Sequence, residues 1–281
     1  GKKMTKYLAT IGVEVHVELK TNTKIFSPSV NGYGQMANSL TNEIDLGYPG
    51  TLPTLNEEVL NLAIKAATVL NCKIRREMHF DRKNYFYPDN SKNYQITQSR
   101  TPIGYDGYVE VEVNGIKKKI EIEEMHIEED TCKSTHRGTK TLLDFNRAGV
   151  PLLETVTEPC MHSADEALAF LDALRKIFLY CDISEARTDR GQMRCDVNIS
   201  LSDTDELGTK VEMKNINRNL TMLCDFYELT MANGYFKNGT GDKICYFDLY
   251  FRSVPDDGGF AIMTGVSQLC DYIKNISFIH I

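Results

Sequence analysis

The sequence predicts an α+β fold, a mostly antiparallel sheet with a few packed helices, and three local patterns carry that reading. The first is strict alternation. In "IGVEVHVEL", residues 11–19, Ile11, Val13, Val15, Val17 and Leu19 take the odd positions, and Gly12, Glu14, His16 and Glu18 the even ones. That is the period-two pattern of a strand with one buried face. "MRCDVNISL" repeats it, with Cys195, Val197, Ile199 and Leu201 facing one way and Arg194, Asp196, Asn198 and Ser200 the other.

The second pattern is a hairpin. In "YVEVEVNGIKKKIEIE", Val109, Val111 and Val113 alternate with Glu110 and Glu112 up to Asn114-Gly115, a pair suited to a two-residue turn with positive φ. The third is a pair of helices with readable starts. Asn56 is placed as an N-cap ahead of Glu57 and Glu58, with Val59, Ala63, Ala66, Ala67 and Leu70 as the apolar stripe. Ser163 with Glu166 reads as a capping box ahead of Ala167, Leu168, Phe170, Leu171, Leu174, Ile177 and Phe178. Helices are therefore expected over 56–70 and 163–180.

The chain has 281 residues, 42% of them hydrophobic and 25% charged. This is room for one large or two modest domains, in the range of ordinary globular proteins. The formal net charge of −7 repels phosphate at long range, so any nucleic acid has to be met by a local basic surface. Eight cysteines lie far apart with no CxxC pair, which removes zinc knuckles and dithiol redox motifs and fits a reducing compartment. No run of 18 apolar residues appears, and "GKKMTKYLATIG" lacks the apolar core of a signal peptide. A cytoplasmic protein with no membrane association is expected, with Gly1–Lys3 as a leader before Met4. No phosphate loop, GxGxxG or GxSxG is present.

Two constellations could carry chemistry. The polar faces hold Glu14, His16 and Glu18, then Glu128, Glu129 and Asp130 in "HIEED", then Glu154 and Glu158. Carboxylates gathered without a counterion repel one another, and hard oxygens with one imidazole suit magnesium or manganese. The same alternation also fits the solvated side of an antiparallel sheet, and "HIEED" also fits a charged loop. The second is "FDRKNYFYPDNSKNYQITQ", residues 80–98. There Arg82, Lys83 and Lys92 are interleaved with Tyr85, Phe86, Tyr87 and Tyr94, which fits phosphate contact with base stacking or a tyrosine-packed turn. Lys117–Lys119 read as a solvated hairpin edge. His79, His126, His136, His162 and His280 read as surface or internally satisfied histidines, and Cys195 as a small core residue.

"IGVEVHVELKT…KIFSPS", "DLGYPGTLP", "FDRKNYFYPDN", "HIEEDTCKSTH", "DFNRAGVPLLETVTEP", "RCDVNIS" and "GTKVEMKNIN", in that order, closely resemble the B subunit of the tRNA-dependent aspartyl/glutamyl amidotransferases over residues 7–217. The resemblance implies a cradle-like catalytic domain spanning 1–217, a ligase of translation. It phosphorylates the carboxylate of Glu or Asp carried on tRNA with ATP and Mg2+, and ammonia then displaces phosphate to give Gln-tRNA or Asn-tRNA. It also implies three partners: the amidase A subunit that supplies ammonia, the small C subunit, and aminoacyl-tRNA. By the same resemblance Glu14, His16, Glu129 and Glu154 match the magnesium site, and Lys83 matches a lysine near the mouth of the ammonia channel, with Tyr85 close by. Arg194 and Asp196 match polar residues of the same pocket.

From Arg218 on, "RNLTMLCDFYELTMANGYFKNGTGDKICYFDLYFRSVPDDGGFAIMTG" looks like the N-terminus of nicotinate phosphoribosyltransferase. There a helix capped by Asn219 or Thr221 and a strand in "KICYFDLYF" are expected, and Tyr227 matches a tyrosine near nicotinate. The chain thus reads as a fusion of two truncated parts, 1–217 and a truncated α+β segment 218–281, and the truncation, which removes the helical and tail domains with which the family reaches tRNA, is expected to impair the amidotransferase activity. Two competing readings stand beside the amidotransferase: a nicotinate phosphoribosyltransferase of NAD salvage named by the tail, and a non-catalytic remnant that binds partners only.

Overall fold

A computed structural model describes residues 8–213, 249–253 and 260–264. The chain divides into two compact units. One holds residues 15–158 and 169–193; the other holds, of the described residues, 8–14, 159–168 and those from 194 on. Among the described residues two α-helices stand amid many short strands, so the fold is α+β with a mostly antiparallel sheet.

The larger unit is built on β1 (Leu8–Glu18, through its second half), β9 (Pro151–Thr157), β6 (Ile116–Glu129), β5 (Gly104–Val113) and β2 (Lys73–Ile74), hydrogen-bonded in that order. The expected alternation in β1 is realised, with Ile11, Val13, Val15 and Val17 buried and Glu14, His16 and Glu18 half-buried on the opposite face. β5 and β6 form the predicted hairpin, with Val113 opposite Ile116. Asn114 and Gly115 take φ of 51° and 76°, as a turn matching the right-handed strand twist requires.

The helix α1 (Glu57–Val69) starts where its cap was placed, the Asn56 side chain accepting from the Glu58 N–H. Its stripe of Val59, Leu62, Ala63, Ala66 and Ala67 is buried. The alanines permit close approach to β5. At Gly107 a Cβ would collide with Cys72 Sγ and stand 2.8 Å from the Leu70 carbonyl oxygen, so no larger residue fits there without moving backbone. In α2 (Ala164–Tyr180), Ala167, Phe170, Leu174 and Phe178 are buried at helical spacing. Its cap departs from the reciprocal pattern in one detail. Ser163 Oγ accepts from the Glu166 N–H, but the Glu166 carboxylate reaches one residue further back, accepting from the His162 N–H at 2.7 Å.

Two small hairpins complete the larger unit: β3 (Asp81–Asn84) with β4 (Tyr94–Thr97), and β7 (Lys133–Arg137) with β8 (Lys140–Asp144). In the smaller unit the strand order is β11 (Val211–Met213), β10 (Met193–Ser202), β1 (through residues 8–14). β12 (Leu249–Ser253) pairs with β13 (Phe260–Thr264). β12 overlaps the end of the expected strand "KICYFDLYF". The expected tail helix, the join near residue 218 and Tyr227 lie outside the described residues. No described helix is long and apolar enough to cross a membrane, and Cys72, Cys132, Cys160, Cys181 and Cys195 are free thiols.

A buried ion pair pins the long segment after β1. Lys24, with no exposed surface, sets its Nζ 3.2 Å from Asp45 Oδ2 and 3.3 Å from the Phe145 carbonyl oxygen. Asp45 accepts in addition from Ser27 Oγ at 2.7 Å and from the Asn42 N–H. Burial pulls the Lys24 ammonium below the usual lysine range, and the charge of Asp45 works against that pull. Removing Asp45 leaves the buried cation without its charge partner. Asp45→Ala is therefore expected to cost about 3–5 kcal/mol in urea unfolding, where an exposed ion pair such as Lys20–Asp182 would change the midpoint little.

Candidate functional site: a histidine–carboxylate cluster

Adjacent antiparallel strands bring β1, β9 and β6 side by side, and their polar faces meet in the larger unit. His126 on β6 stands directly opposite Glu154 on β9. Counting in twos along "EEMHIEE", Glu124, His126 and Glu128 share one face of β6, while Met125, Ile127 and Glu129 share the other. His16 comes to that same face from β1. His16 Nε2 is 3.4 Å from Glu128 Oε1 and 3.4 Å from Glu154 Oε2, and His126 Nε2 is 2.8 Å from Glu154 Oε2. His126 Nδ1 lies 3.3 Å from Glu124 Oε1 but, buried, completes no hydrogen bond there.

Electrostatics follow from burial. Desolvation would lower the His126 pKa, but Glu124 and Glu154 outweigh it and push it up to about 10. For Glu154, burial alone would raise the pKa; the hydrogen bonds from His126 and His16 win and hold it well below the usual carboxylate range. Glu128 goes the other way. It is 4% exposed, and desolvation first and the charge of Glu154 second raise its pKa, with His16, His126 and Lys83 opposing. The cluster is a desolvated carboxylate pair short of positive charge. His16, Glu128 and Glu154 each present one ligand atom, all within 4.8 Å of one another, and a hard divalent cation suits that set.

The four expected metal ligands are not assembled in one place. His16 and Glu154 meet, but Glu129 does not join them, because its odd position turns it to the other face of β6. There its carboxylate is gripped by Lys92 Nζ, at 2.6 Å through Oε2, and accepts from the Ile96 N–H at 2.9 Å. Burial still outweighs the lysine and raises the Glu129 pKa. Glu128 is the carboxylate that faces His16. His126, read from sequence as merely satisfied, is the second imidazole; the alternation of Glu124, His126 and Glu128 was the signal that could have found it. Glu14 lies in the smaller unit, where its carboxylate accepts from Asn198 Nδ2 at 2.8 Å and forms with Asp196 and Glu212 a second group within 4.8 Å.

The other expected residues are placed as follows. Lys83, exposed on β3, faces Gln95 across the hairpin, and its charge is felt at Glu128. Gln95 donates to the Glu129 carbonyl oxygen at 2.6 Å and to Glu128 Oε2 at 3.3 Å, tying the hairpin to β6. Tyr85 is half-buried, and desolvation pushes its phenol up to about 12. Arg82 and Lys92 both lie over the Tyr94 ring, at 5.2 and 5.5 Å, so two of the three cations in 80–98 pack against a tyrosine, whereas Phe86 and Tyr87 are exposed. Asp45, Asp89, Lys92, Glu129 and Gly149 line a small, partly open pocket. Arg194 is half-buried on β10. Cys195 is 4% exposed, and burial pushes its thiol above the usual range, as befits a core residue.

The family model of the GatB/GatE catalytic domain matches residues 9–226. The chain belongs to this family. It is 56% identical over 210 residues to the B subunit of an aspartyl/glutamyl-tRNA(Asn/Gln) amidotransferase from Oceanobacillus iheyensis, the match covering 74% of this chain and 44% of that protein. It is 55% identical over 213 residues to the protein of the same name from Limosilactobacillus reuteri, covering 75% of this chain and 45% of that protein. The chain thus spans about half the length of the curated relatives it matches. A second model, the nicotinate phosphoribosyltransferase N-terminal domain, matches residues 222–280, so the tail is similar to that family.

The ionisation pattern can be measured directly. His126 starts from an ordinary value of 6.5 and is raised when folded. Its charged form therefore stabilises the fold fully below about pH 6.5, and that contribution is lost as pH climbs towards 10. In imidazole 15N NMR of the metal-free chain, His126 should still be protonated at pH 8, and Glu154→Gln should bring its titration down towards the ordinary range.

Proposed function

We propose that the chain carries the carboxylate-activating step of a tRNA-dependent amidotransferase, and that the His16–Glu128–Glu154 group is the Mg2+ position of that step. The observation that supports this is a buried Glu128 and a half-buried Glu154 within reach of His16 and short of positive charge, in a chain of the GatB/GatE family. Bound there, Mg2+ supplies charge neutralisation for the phosphates of ATP and for the carboxylate being activated.

The residues of this chain divide the remaining work. His126 donates to Glu154 and holds that carboxylate ionised and oriented. Glu128, whose raised pKa makes protons its competitors, is a ligand that weakens as pH falls. Glu14 and Asp196, with Glu212, offer an all-oxygen group suited to a further cation accompanying ATP. Lys83 brings positive charge near Glu128, and with Tyr85 we place it where ammonia from the A subunit arrives. Arg194 is assigned to the anionic substrate in the same sense. Aminoacyl-tRNA and the A and C subunits are the partners, and the cytoplasm is the compartment of such a translation enzyme. The salvage-transferase reading rests on the tail alone, and the larger share of the chain speaks against it.

Two measurements test this. In Mn2+ titrations followed by electron paramagnetic resonance, Glu128→Gln should weaken binding by about tenfold or more. Glu129→Gln should retain Mn2+ and instead lower thermal stability, because it leaves Lys92 without its buried partner. Equal Mn2+ affinity for wild type and Glu128→Gln would remove the metal assignment. With A and C subunits, glutamine, ATP and Glu-tRNA, the wild-type chain should release ADP and form Gln-tRNA, and Glu128→Gln should do neither.

A further inference from the structure

We propose that the β7–β8 hairpin is a docking surface for the phosphate backbone of RNA. Two exposed basic hairpins project from the larger unit, and cross-strand register separates them. In β5–β6, Lys117 faces Glu112 and Lys119 faces Glu110, and Lys119 Nζ also lies 3.8 Å from the Tyr108 ring centroid. Those two lysines stand opposite carboxylates across the ladder. In β7–β8 the register is the reverse of complementary: Arg137 stands directly opposite Lys140 at the tip. Like charges placed opposite each other destabilise a hairpin, and none of the residues facing them is acidic.

Lys133 shares that face of the ladder with Arg137 and Lys140. Opposite it is Asp144, whose Oδ1 is already taken by the backbone N–H groups of Asn38 and Asn146. Lys133, Arg137 and Lys140 are exposed, and among the described residues none of the three has an ion pair. Thr135 lies on the same face, and the exposed hydroxyls of Ser134, Thr139 and Thr141 flank the tip. Cations with interspersed hydroxyls are the usual donors to phosphate oxygens.

The hairpin is also built to be held still. Its turn is only Gly138 and Thr139, with Gly138 at φ 56°. Its base is clamped by Arg147, which donates to the Thr131 and Cys132 carbonyl oxygens at 2.9 Å each, and by Asn38, which donates to the Leu143 carbonyl oxygen and accepts from the Phe145 N–H. In a chain of net charge −7, Arg137 and Lys140 facing each other on a clamped ribbon, with Lys133 on the same face, give the local positive surface that a polyanion needs. The inference rests on the amidotransferase reading only in its choice of tRNA as the RNA.

The test is fluorescence anisotropy of the full chain with a labelled tRNA(Gln) transcript, across a salt series and without ATP, so that it does not depend on amidation. K133Q/R137Q/K140Q should weaken binding by about tenfold at low salt and flatten the slope of log affinity against log salt by roughly two to three. The control K117Q/K118Q/K119Q removes the same formal charge and should shift affinity less than about twofold, since Lys117 and Lys119 already face Glu112 and Glu110. Circular dichroism should show both variants folded. The proposal is overturned if the wild-type chain does not bind tRNA, if the two triple variants lose affinity equally, or if the β7–β8 variant loses heparin binding while keeping tRNA binding.

Discussion

The constraint on which this structure turns is the placing of a buried carboxylate, Glu128, beside a half-buried one, Glu154, on neighbouring strands. Removing a carboxylate from solvent without a counterion is costly. The fold answers with two imidazoles, His16 and His126. The answer is uneven, since Glu154 receives both and stays ionised whereas Glu128 is driven towards its neutral form. A site left in that condition has a natural complement in a small hard cation.

The surroundings make the arrangement rigid. β6 contributes Glu124, His126 and Glu128 from one face, and from the other it sends Glu129 into a buried pair with Lys92. Gln95 touches both Glu128 and the Glu129 backbone. One strand therefore carries a polar cluster on one side and the Lys92–Glu129 ion pair on the other. The buried Lys24–Asp45 pair holds the segment after β1 in the same manner.

Much of this was legible in the sequence, because period-two alternation, Asn-Gly turns and helix caps are local codes. β1, β10, the β5–β6 hairpin, α1 and α2 lie where their residues place them. What the sequence left open was which of two adjacent carboxylates faces His16. "HIEED" offers adjacent carboxylates, and the choice between Glu128 and Glu129 depends on which face of β6 meets β1 and β9. The preceding alternation, Glu124–Met125–His126–Ile127, contains that information once the segment is read as strand continuing to residue 129 rather than as a charged loop. His126 was missed for the same reason, its partner Glu154 being 28 positions away and brought opposite it only by the β6–β9 register. The contrast between the two basic hairpins was likewise hidden, since it depends on which residues face each other across the ladder and not on their composition.

The most direct test of the central claim is crystallographic: grow the chain with Mn2+ and collect anomalous data. The account predicts a peak bonded to His16 Nε2 and to the Glu128 and Glu154 carboxylates, with Glu129 still paired to Lys92. A well-ordered cluster with no peak between those three groups, or a Mn2+ held by Glu129 instead, would contradict it.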